Sequence, residues 1–89
     1  MDILVQYFGN LRQVTNKEKE TMQLDENATV QSLLDELIKQ YGQAYQTAMD
    51  TIKGLRILVD GRDISTLNGM SSALKNGCTV VFLPPIAGG

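Results

Sequence analysis

The stretch ATVQSLLDELIKQYG, residues 28–42, carries the strongest helix signal in a chain of 89 residues. Thr29 precedes the apolar pattern, and its hydroxyl can accept a hydrogen bond from a free amide of the first helical turn. Gly42 follows the pattern and can adopt the left-handed conformation that ends a helix. The stretch therefore predicts an amphipathic helix that buries one face. The apolar residues recur at helical spacing; they are Val30, Leu33, Leu34, Leu37, Ile38 and Tyr41.

Two strand patterns precede this helix. DILVQYF, residues 2–8, has period-two spacing and is rich in β-branched and aromatic side chains. Gly9 and Asn10 break the pattern, and ETMQL, residues 20–24, alternates again after a polar stretch. We expect two strands joined as a β-hairpin. In the first strand, the alternation places Ile3, Val5 and Tyr7 on one face of the sheet. It places Leu4 and Phe8 on the opposite face.

The second half of the chain returns to strands. QAYQTAMDTI, residues 43–52, favours a weaker helix, and LRILV, residues 55–59, alternates as a strand. Asp60-Gly61 offers a tight turn into the very short strand RDI, and TVVFL, residues 79–83, predicts the last strand. We expect core positions at Ala44, Ala48, Met49 and Ile52 in the weaker helix, and at Leu67 and Leu74 in the loop before the last strand.

This element order predicts an α+β fold of two layers, in which one main helix covers a mixed sheet of four to five strands. The other sheet face stays uncovered, and its outward positions are more apolar than a solvated face needs. We predict that a partner docks there. The alternatives are a register shifted by one residue, which would turn these side chains inward, or scattered surface hydrophobes. The outward positions are Leu4, Phe8, Leu58, Val81 and Leu83.

Composition narrows the classes of function. The 8 basic and 10 acidic residues are scattered and give a net charge of -2, so we expect no nucleic-acid partner. The chain has no histidine, which removes the usual general base and the commonest metal ligand, so we do not expect an enzyme. The single cysteine, Cys78, allows no internal disulfide and no cysteine metal site, and we interpret it as a packing residue. We expect no metal.

The same sequence carries no sign of membrane attachment. No apolar run approaches the roughly 18 residues needed to cross a bilayer, and no basic segment leads into a long apolar stretch. A prenylation cysteine is also absent from the C-terminus. We therefore expect a cytoplasmic protein with no membrane partner.

The ending VVFLPPIAGG, residues 80–89, combines a strand, two prolines and two glycines. Pro84 and Pro85 lack amide protons and hold φ near about -65°, so they end strand pairing and begin a stiff exit. We expect a domain over residues 1–85 and a flexible tail over residues 86–89. Ile86, Ala87, Gly88 and Gly89 can reach about 13 Å and end in a carboxylate that a partner could capture or activate. The alternative is a frayed terminus.

These patterns resemble the ubiquitin-like β-grasp sulfur carriers, especially the small subunit of molybdopterin synthase and the archaeal small modifier proteins. Cys78 stands where the family often has an acidic residue, and Ile86-Ala87 is also similar to the thiamine sulfur carriers. The resemblance is carried by ILVQYFGNLRQV (3–14), ATVQSLLDEL (28–37), ILVDGRDI (57–64) and LKNGCTVVFLPPIAGG (74–89).

The resemblance implies a carrier without a permanently bound cofactor. A ubiquitin-activating-like adenylyltransferase would use ATP to adenylate Gly89. A sulfur donor, such as a cysteine desulfurase or rhodanese-like protein, would then convert it to a thiocarboxylate. Sulfur would pass to a pterin precursor in the large subunit of molybdopterin synthase. If a lysine of a target protein attacked instead, an isopeptide bond would form and the chain would be a protein modifier.

We favour sulfur carriage for molybdenum cofactor synthesis, because the double proline and the length resemble that branch of the family. The alternatives are a protein modifier, a thiamine-pathway sulfur carrier and an adaptor whose tail is inert. The predicted site comprises Gly89 as the activated residue, the tail Pro84, Pro85, Ile86, Ala87 and Gly88, and a partner-binding face of Phe8, Leu58, Val81 and Leu83.

Overall fold

A computed structural model describes residues 1–85 of the chain. Over that range the chain forms five strands and three α-helices, with two short 3-10 helices at Ile64–Thr66 and Gly69–Ser71. The elements, in chain order, are β1 (Asp2–Tyr7), α1 (Asn10–Thr15), β2 (Lys19–Gln23), α2 (Val30–Tyr41), α3 (Gln43–Thr51), β3 (Arg56–Val59), β4 (Arg62–Asp63) and β5 (Thr79–Leu83).

The five strands form one mixed sheet in the order β2-β1-β5-β3-β4. β1 and β5 run parallel to each other, and the other neighbouring pairs are antiparallel. The first and last strands of the described chain therefore lie side by side in the interior of the sheet. The predicted mixed sheet and the predicted bounds of the last strand are confirmed.

The predicted main helix is α2, and its start is stabilised as its sequence suggested. The Thr29 hydroxyl accepts a hydrogen bond from the Ser32 amide at 3.3 Å. The Ser32 hydroxyl accepts one from the Thr29 amide at 3.0 Å, which completes a reciprocal capping box. Gly42 follows the helix with a φ of 77°, which favours glycine. Within residues 1–85, no helix is long and apolar enough to cross a membrane.

The connection between β1 and β2 is not the simple hairpin that we expected. Its six-residue helix, α1, buries Leu11 and Thr15. The Thr15 hydroxyl donates to the Leu11 carbonyl at 2.9 Å, and Asn16 ends the helix in the left-handed conformation. So short a helix contains too few apolar residues for its period to be visible in the sequence.

The weaker predicted helix exists as α3, and Ala48, Met49 and Ile52 pack in or against the core as predicted, but Ala44 does not. Tyr45 is fully buried, whereas Ala44 is exposed. The Tyr45 ring packs edge-on against Tyr7 and Phe82, with centroids 6.2 and 6.1 Å away, and it stacks on Tyr41. A large aromatic ring buries far more apolar area than an alanine methyl group, so it determines which side of the helix faces the core.

The core lies between the helices and one face of the sheet. Leu74 belongs to it, as expected, whereas Leu67 is only half-buried and lies outside it. The fully buried side chains of greatest volume are Tyr7, Tyr45, Phe82, Ile3, Leu11, Leu33, Leu37, Val5, Val30 and Val80.

Candidate functional site

The strand register determines which side chains the sheet turns away from the helices. In β5, Val80 and Phe82 are fully buried, and their neighbours point to the opposite face. In β1, Ile3 and Val5 are fully buried in the same way. Burial therefore alternates as predicted, and the alternative of a register shifted by one residue is excluded.

Within residues 1–85, the helices pack on one side of the sheet only, and the other side is the outward face, which we define by Leu4, Phe8, Leu58, Val81 and Leu83. Val81 lies at its centre, because it is paired with Gln6 of β1 on one side and with Leu58 of β3 on the other. Leu83 is the next residue of β5 on this face. All five apolar residues are half-buried. The structure thus brings the predicted partner-binding residues onto one surface.

Two arginines that our sequence analysis did not assign to the site border this face. The Arg12 guanidinium lies 5.5 Å from the centre of the Phe8 ring, which is within the range of a cation–π contact. Arg56 lies opposite Leu83 in the ladder and forms an ion pair with Asp63 at 2.9 Å. The Ser65 backbone amide and Arg56 together lower the pKa of the Asp63 carboxyl to about 2.

The two prolines after β5 form the root of the tail and lie beside two loop glycines. A β-carbon on Gly9 would lie 3.7 Å from Pro84, and one on Gly54 would lie 3.6 Å from Pro85. Both glycines have a positive φ, 59° and 74°, so another residue would strain the backbone at either position. The root therefore leaves the sheet between the two loops that contain these glycines.

The predicted activated residue lies beyond this point. Ile86, Ala87, Gly88 and Gly89 fall outside the residues that the structure describes. Their roles stay predictions.

A partly buried carboxylate joins three elements beneath the tail end of the sheet. Glu20 of β2 accepts hydrogen bonds from the hydroxyls of Tyr7 (2.6 Å) and Tyr41, and Lys17 donates to it at 3.3 Å. Burial alone would raise the pKa of Glu20, but these bonds outweigh it and lower the pKa below its ordinary value of 4.5. The Tyr45 hydroxyl is buried without a hydrogen-bond partner among residues 1–85.

Cys78 packs into the core just before β5. Its side chain is buried, and burial raises the pKa of the thiol, so near neutral pH it stays protonated. This setting suits the packing role that we predicted. Among residues 1–85, no three histidine, cysteine or carboxylate side chains are grouped closely enough to hold a metal ion.

Comparison with known proteins places this geometry in a family. A sequence profile described as the ThiS family matches residues 5–89. The chain belongs to the ThiS family. It is 33% identical to Small archaeal modifier protein 3 of Haloferax volcanii over 92 residues, which cover 100% of both chains.

Two solved structures support the assignment of the fold. The putative molybdopterin converting factor, subunit 1, of Pyrococcus furiosus is 26% identical to this ThiS family chain, with a TM-score of 0.75. The match covers 97% of this chain and 99% of that one. The crystal structure of SAMP1 from Haloferax volcanii is 20% identical, with a TM-score of 0.75 over 100% of both chains.

These findings confirm the ubiquitin-like β-grasp fold and the resemblance that the sequence indicated. The chain belongs with the ubiquitin-like sulfur carriers and small archaeal modifiers. Its relatives are carrier or modifier proteins and not themselves catalysts, in agreement with the expectation that this ThiS family chain is not an enzyme. Proteins of this kind act by interacting with partners.

Proposed function

We propose that this chain is a sulfur carrier for molybdopterin synthesis and that Gly89 is the residue it uses. The observation that carries the proposal is the family match, which extends through the Pro-Pro-Ile-Ala-Gly-Gly ending to residue 89. In this role the carboxylate of Gly89 is free, and a partner adenylyltransferase activates it with ATP. The proposed setting is the cytoplasm, where ATP and reduced thiols are available.

The proposed chemistry starts from a weak electrophile. An oxygen of the Gly89 carboxylate attacks the α-phosphorus of ATP, and pyrophosphate leaves to give an acyl-adenylate. The terminal sulfur of a protein persulfide then attacks the carbonyl carbon, and AMP leaves. A second thiol of the donor attacks the donor's own sulfur in the resulting acyl disulfide, which releases the thiocarboxylate and leaves a disulfide on the donor. The chain supplies the carboxylate, and its partners supply the catalysis.

The outward face supports the proposal because it lies beside the root of the tail. Phe8 and Leu83 lie at the end of the sheet from which Pro84 leaves, and Val81 lies between them and the far end. An apolar surface next to a narrow tail can hold a carrier on its partner while the tail enters a channel. We assign this face to the adenylyltransferase and to the large subunit of molybdopterin synthase in turn.

A second candidate function is conjugation to proteins. The identity of 33% over the full length of Small archaeal modifier protein 3 favours it. Here the amine of a target lysine attacks the same acyl-adenylate, AMP leaves, and an isopeptide bond forms. The thiamine-pathway carrier and the inert-tail adaptor are the remaining alternatives.

Deletion of Gly89 tests whether the tail is activated. The shortened chain keeps a carboxylate on Gly88 but retracts it by about 3.3 to 3.6 Å, and a misplacement of about 1 Å can cost on the order of a hundredfold in rate. We expect ATP–pyrophosphate exchange with the purified activating enzyme of the same organism to fall at least about a hundredfold. Exchange at the normal rate by the shortened chain would show that Gly89 is not the required residue, whereas no exchange with the wild type would leave the inert-tail adaptor as the better account.

Intact-mass analysis of the protein from its own cells separates the two candidate roles. A thiocarboxylate differs from the unmodified chain by the replacement of one oxygen atom by sulfur. A conjugate instead carries the mass of a second polypeptide and yields a branched peptide at a lysine. Conjugates without any thiocarboxylate would contradict sulfur carriage and favour the modifier. A thiocarboxylate in cells that lack molybdopterin synthase but make thiamine would favour the thiamine pathway.

A further inference from the structure

Basic side chains surround the root of the tail. Lys19 lies opposite Gln6 in the β1–β2 ladder, and Arg56 lies opposite Leu83 in the β3–β5 ladder. Arg12 lies over the Phe8 ring, and Lys53 precedes Gly54, the glycine beside Pro85. We define the basic collar as Arg12, Lys19, Lys53 and Arg56; all four residues are exposed.

The collar is only partly neutralised by its neighbours. Arg12 lies 3.7 Å from Glu18 in an exposed ion pair, and Arg56 pairs with Asp63. Lys19 and Lys53 form no ion pair within residues 1–85. Four cations against the carboxylates of Glu18, Asp63 and Asp50 leave a local charge of +1 in a chain whose net charge is -2. Asp50, the nearby carboxylate of α3, accepts a hydrogen bond from Gln46.

The opposite end of the sheet carries negative charge. Asp25, Asp35 and Glu36 line a cleft of about 480 Å³ between the end of β2 and the first turns of α2. This cleft lies beside Gln23, which pairs with Asp2 at the start of β1, whereas the tail leaves from the other end. The far end of the sheet also carries Arg62 and Lys75, but with Asp2 its four carboxylates outnumber these two cations, so it is negative relative to the root of the tail.

We propose that the basic collar docks on carboxylates around the mouth of the channel that receives the tail. This inference rests on the proposed function and adds the chemistry of the partner's surface. The outward face supplies apolar contact, while charges at its rim orient the encounter and raise the association rate. Because the chain has a net negative charge, it is attracted to an acidic surface only when the basic collar faces that surface. The tail leaves from the same end, so this orientation directs the tail into the channel.

An acidic protein surface fits the collar better than a nucleic acid does. The four cations lie around an apolar face instead of along a continuous basic track, and Glu18 and Asp63 lie among them. A phosphate backbone would meet those two carboxylates at close range, and repulsion would offset part of its attraction to the cations. Separate carboxylates on a folded partner can pair with the cations and avoid the two acids.

Two matched charge reversals test the collar. Lys53 and Lys75 are both exposed, and neither forms an ion pair within residues 1–85. Lys53 lies beside the root, whereas Lys75 adjoins the turn whose Asn76 and Gly77 bond to Asp2 at the far end. Lys53→Glu and Lys75→Glu therefore make the same change of charge at opposite ends of the sheet. Melting curves of both variants establish that they are folded.

The readout is ATP–pyrophosphate exchange with the purified activating enzyme of the same organism, at low and high salt. We expect Lys53→Glu to raise KM for the carrier about fivefold at about 50 mM salt, with kcat unchanged, because the new carboxylate faces like charge. At about 300 mM salt the difference should shrink to within about twofold, because exposed charges are screened. Lys75→Glu should stay within about twofold of the wild type at both salt concentrations.

The proposed role of the collar would be wrong if the two reversals changed KM equally. It would also be wrong if salt did not reduce the effect of Lys53→Glu on KM. Either result would leave the proposed function intact, provided that the activating enzyme still adenylated the wild type and did not adenylate the chain lacking Gly89. If the wild type itself were not activated, both proposals would fall. A labelled single-stranded RNA provides a second test. If the wild type bound this RNA and Lys53→Glu abolished the binding, the proposal that the collar docks on a protein would be wrong.

Discussion

Glu20 is the side chain that joins the tail end of the sheet to α2. It is only 10% exposed, and it accepts hydrogen bonds from tyrosines of β1 and α2. Charge-assisted bonds of this kind are worth more than neutral ones, and the loss of the charge leaves buried hydroxyls with a weaker acceptor. Glu20 therefore acts on stability, through Tyr7 and Tyr41, and not on the proposed chemistry of the tail.

Glu20→Gln should lower the free energy of unfolding by about 1–3 kcal/mol at pH 7. The lowered pKa of Glu20 means that its stabilisation is complete above its ordinary pKa of 4.5 and is lost as the pH falls through the lower folded-state value. The difference between wild type and variant should therefore shrink in strongly acidic solution. Urea unfolding at several pH values measures it.

Glu18→Gln is the matched control, because Glu18 carries the same charge two residues away but its side chain is 76% exposed. We expect this variant to change stability by less than about 0.5 kcal/mol. Equal losses in the two variants would contradict the role assigned to the Glu20 cluster. So would a difference between wild type and Glu20→Gln that did not depend on pH.

β5 shows how one strand serves the core and the proposed docking face at once. Its burial alternates from residue to residue, because successive side chains of a strand point to opposite faces of the sheet. Val80 is fully buried, and Val81 is half-buried between Gln6 and Leu58 on the outward face. Substitutions at Val80 should therefore affect the stability of the fold, whereas substitutions at Val81 should affect the proposed binding.

Val81→Glu should keep the fold and weaken binding. We expect a change in stability of less than about 1 kcal/mol, since the new carboxylate can reach water. Affinity for the purified activating enzyme, measured by titration calorimetry, should fall at least about tenfold, because the charge lies at the centre of an apolar contact.

The matched substitution Val80→Glu should give the opposite result. A buried unpaired carboxylate costs several kcal/mol, a large part of the stability of a domain of this size, so this variant should unfold or melt far lower. A Val81→Glu variant that unfolded like Val80→Glu would show that the outward face is core. One that folded and bound normally would show that partners dock elsewhere.

At the scale of the whole molecule, the structure describes a packed body that comprises residues 1–85. Among residues 1–85, the largest fully buried side chains come from residues 3–82, and β5 occupies an interior position in the sheet. We expect residues 86–89 to take no part in these core contacts. This separation is what a carrier would need, because it lets partners act on the tail without opening the fold.

Removal of residues 86–89 should therefore leave the stability of the body unchanged. We expect the melting temperature of the truncated chain to stay within about 2 °C of the wild type, since the change removes none of the core contacts described above. Differential scanning calorimetry measures it. A fall of about 5 °C or more would mean that the last four residues contribute on the order of 1 kcal/mol by packing on the body. The proposed division into body and tail would then be wrong.

The sequence alone was sufficient for those features whose cause is local. The apolar period of α2, its start at Thr29 and the alternation of β1 and β5 follow from residues that are neighbours along the chain, and the structure confirms them. The outward positions Phe8, Leu58, Val81 and Leu83 follow from the same alternation. The family resemblance also follows from the sequence alone, because it depends on motifs in four stretches of the chain.

Only the tertiary structure determined the features that depend on contacts between distant residues. α1 is too short to show a period, and Tyr45 rather than Ala44 faces the core because three aromatic rings from other elements surround it. Glu20 accepts hydrogen bonds from Tyr7 and Tyr41 because the fold brings residues from three elements together. The basic collar comes from four separate places in the chain, and its cations lie on both sides of the root of the tail because β5 inserts between β1 and β3. Local sequence encodes a side chain's direction, whereas pairing between distant strands decides which side chains become neighbours.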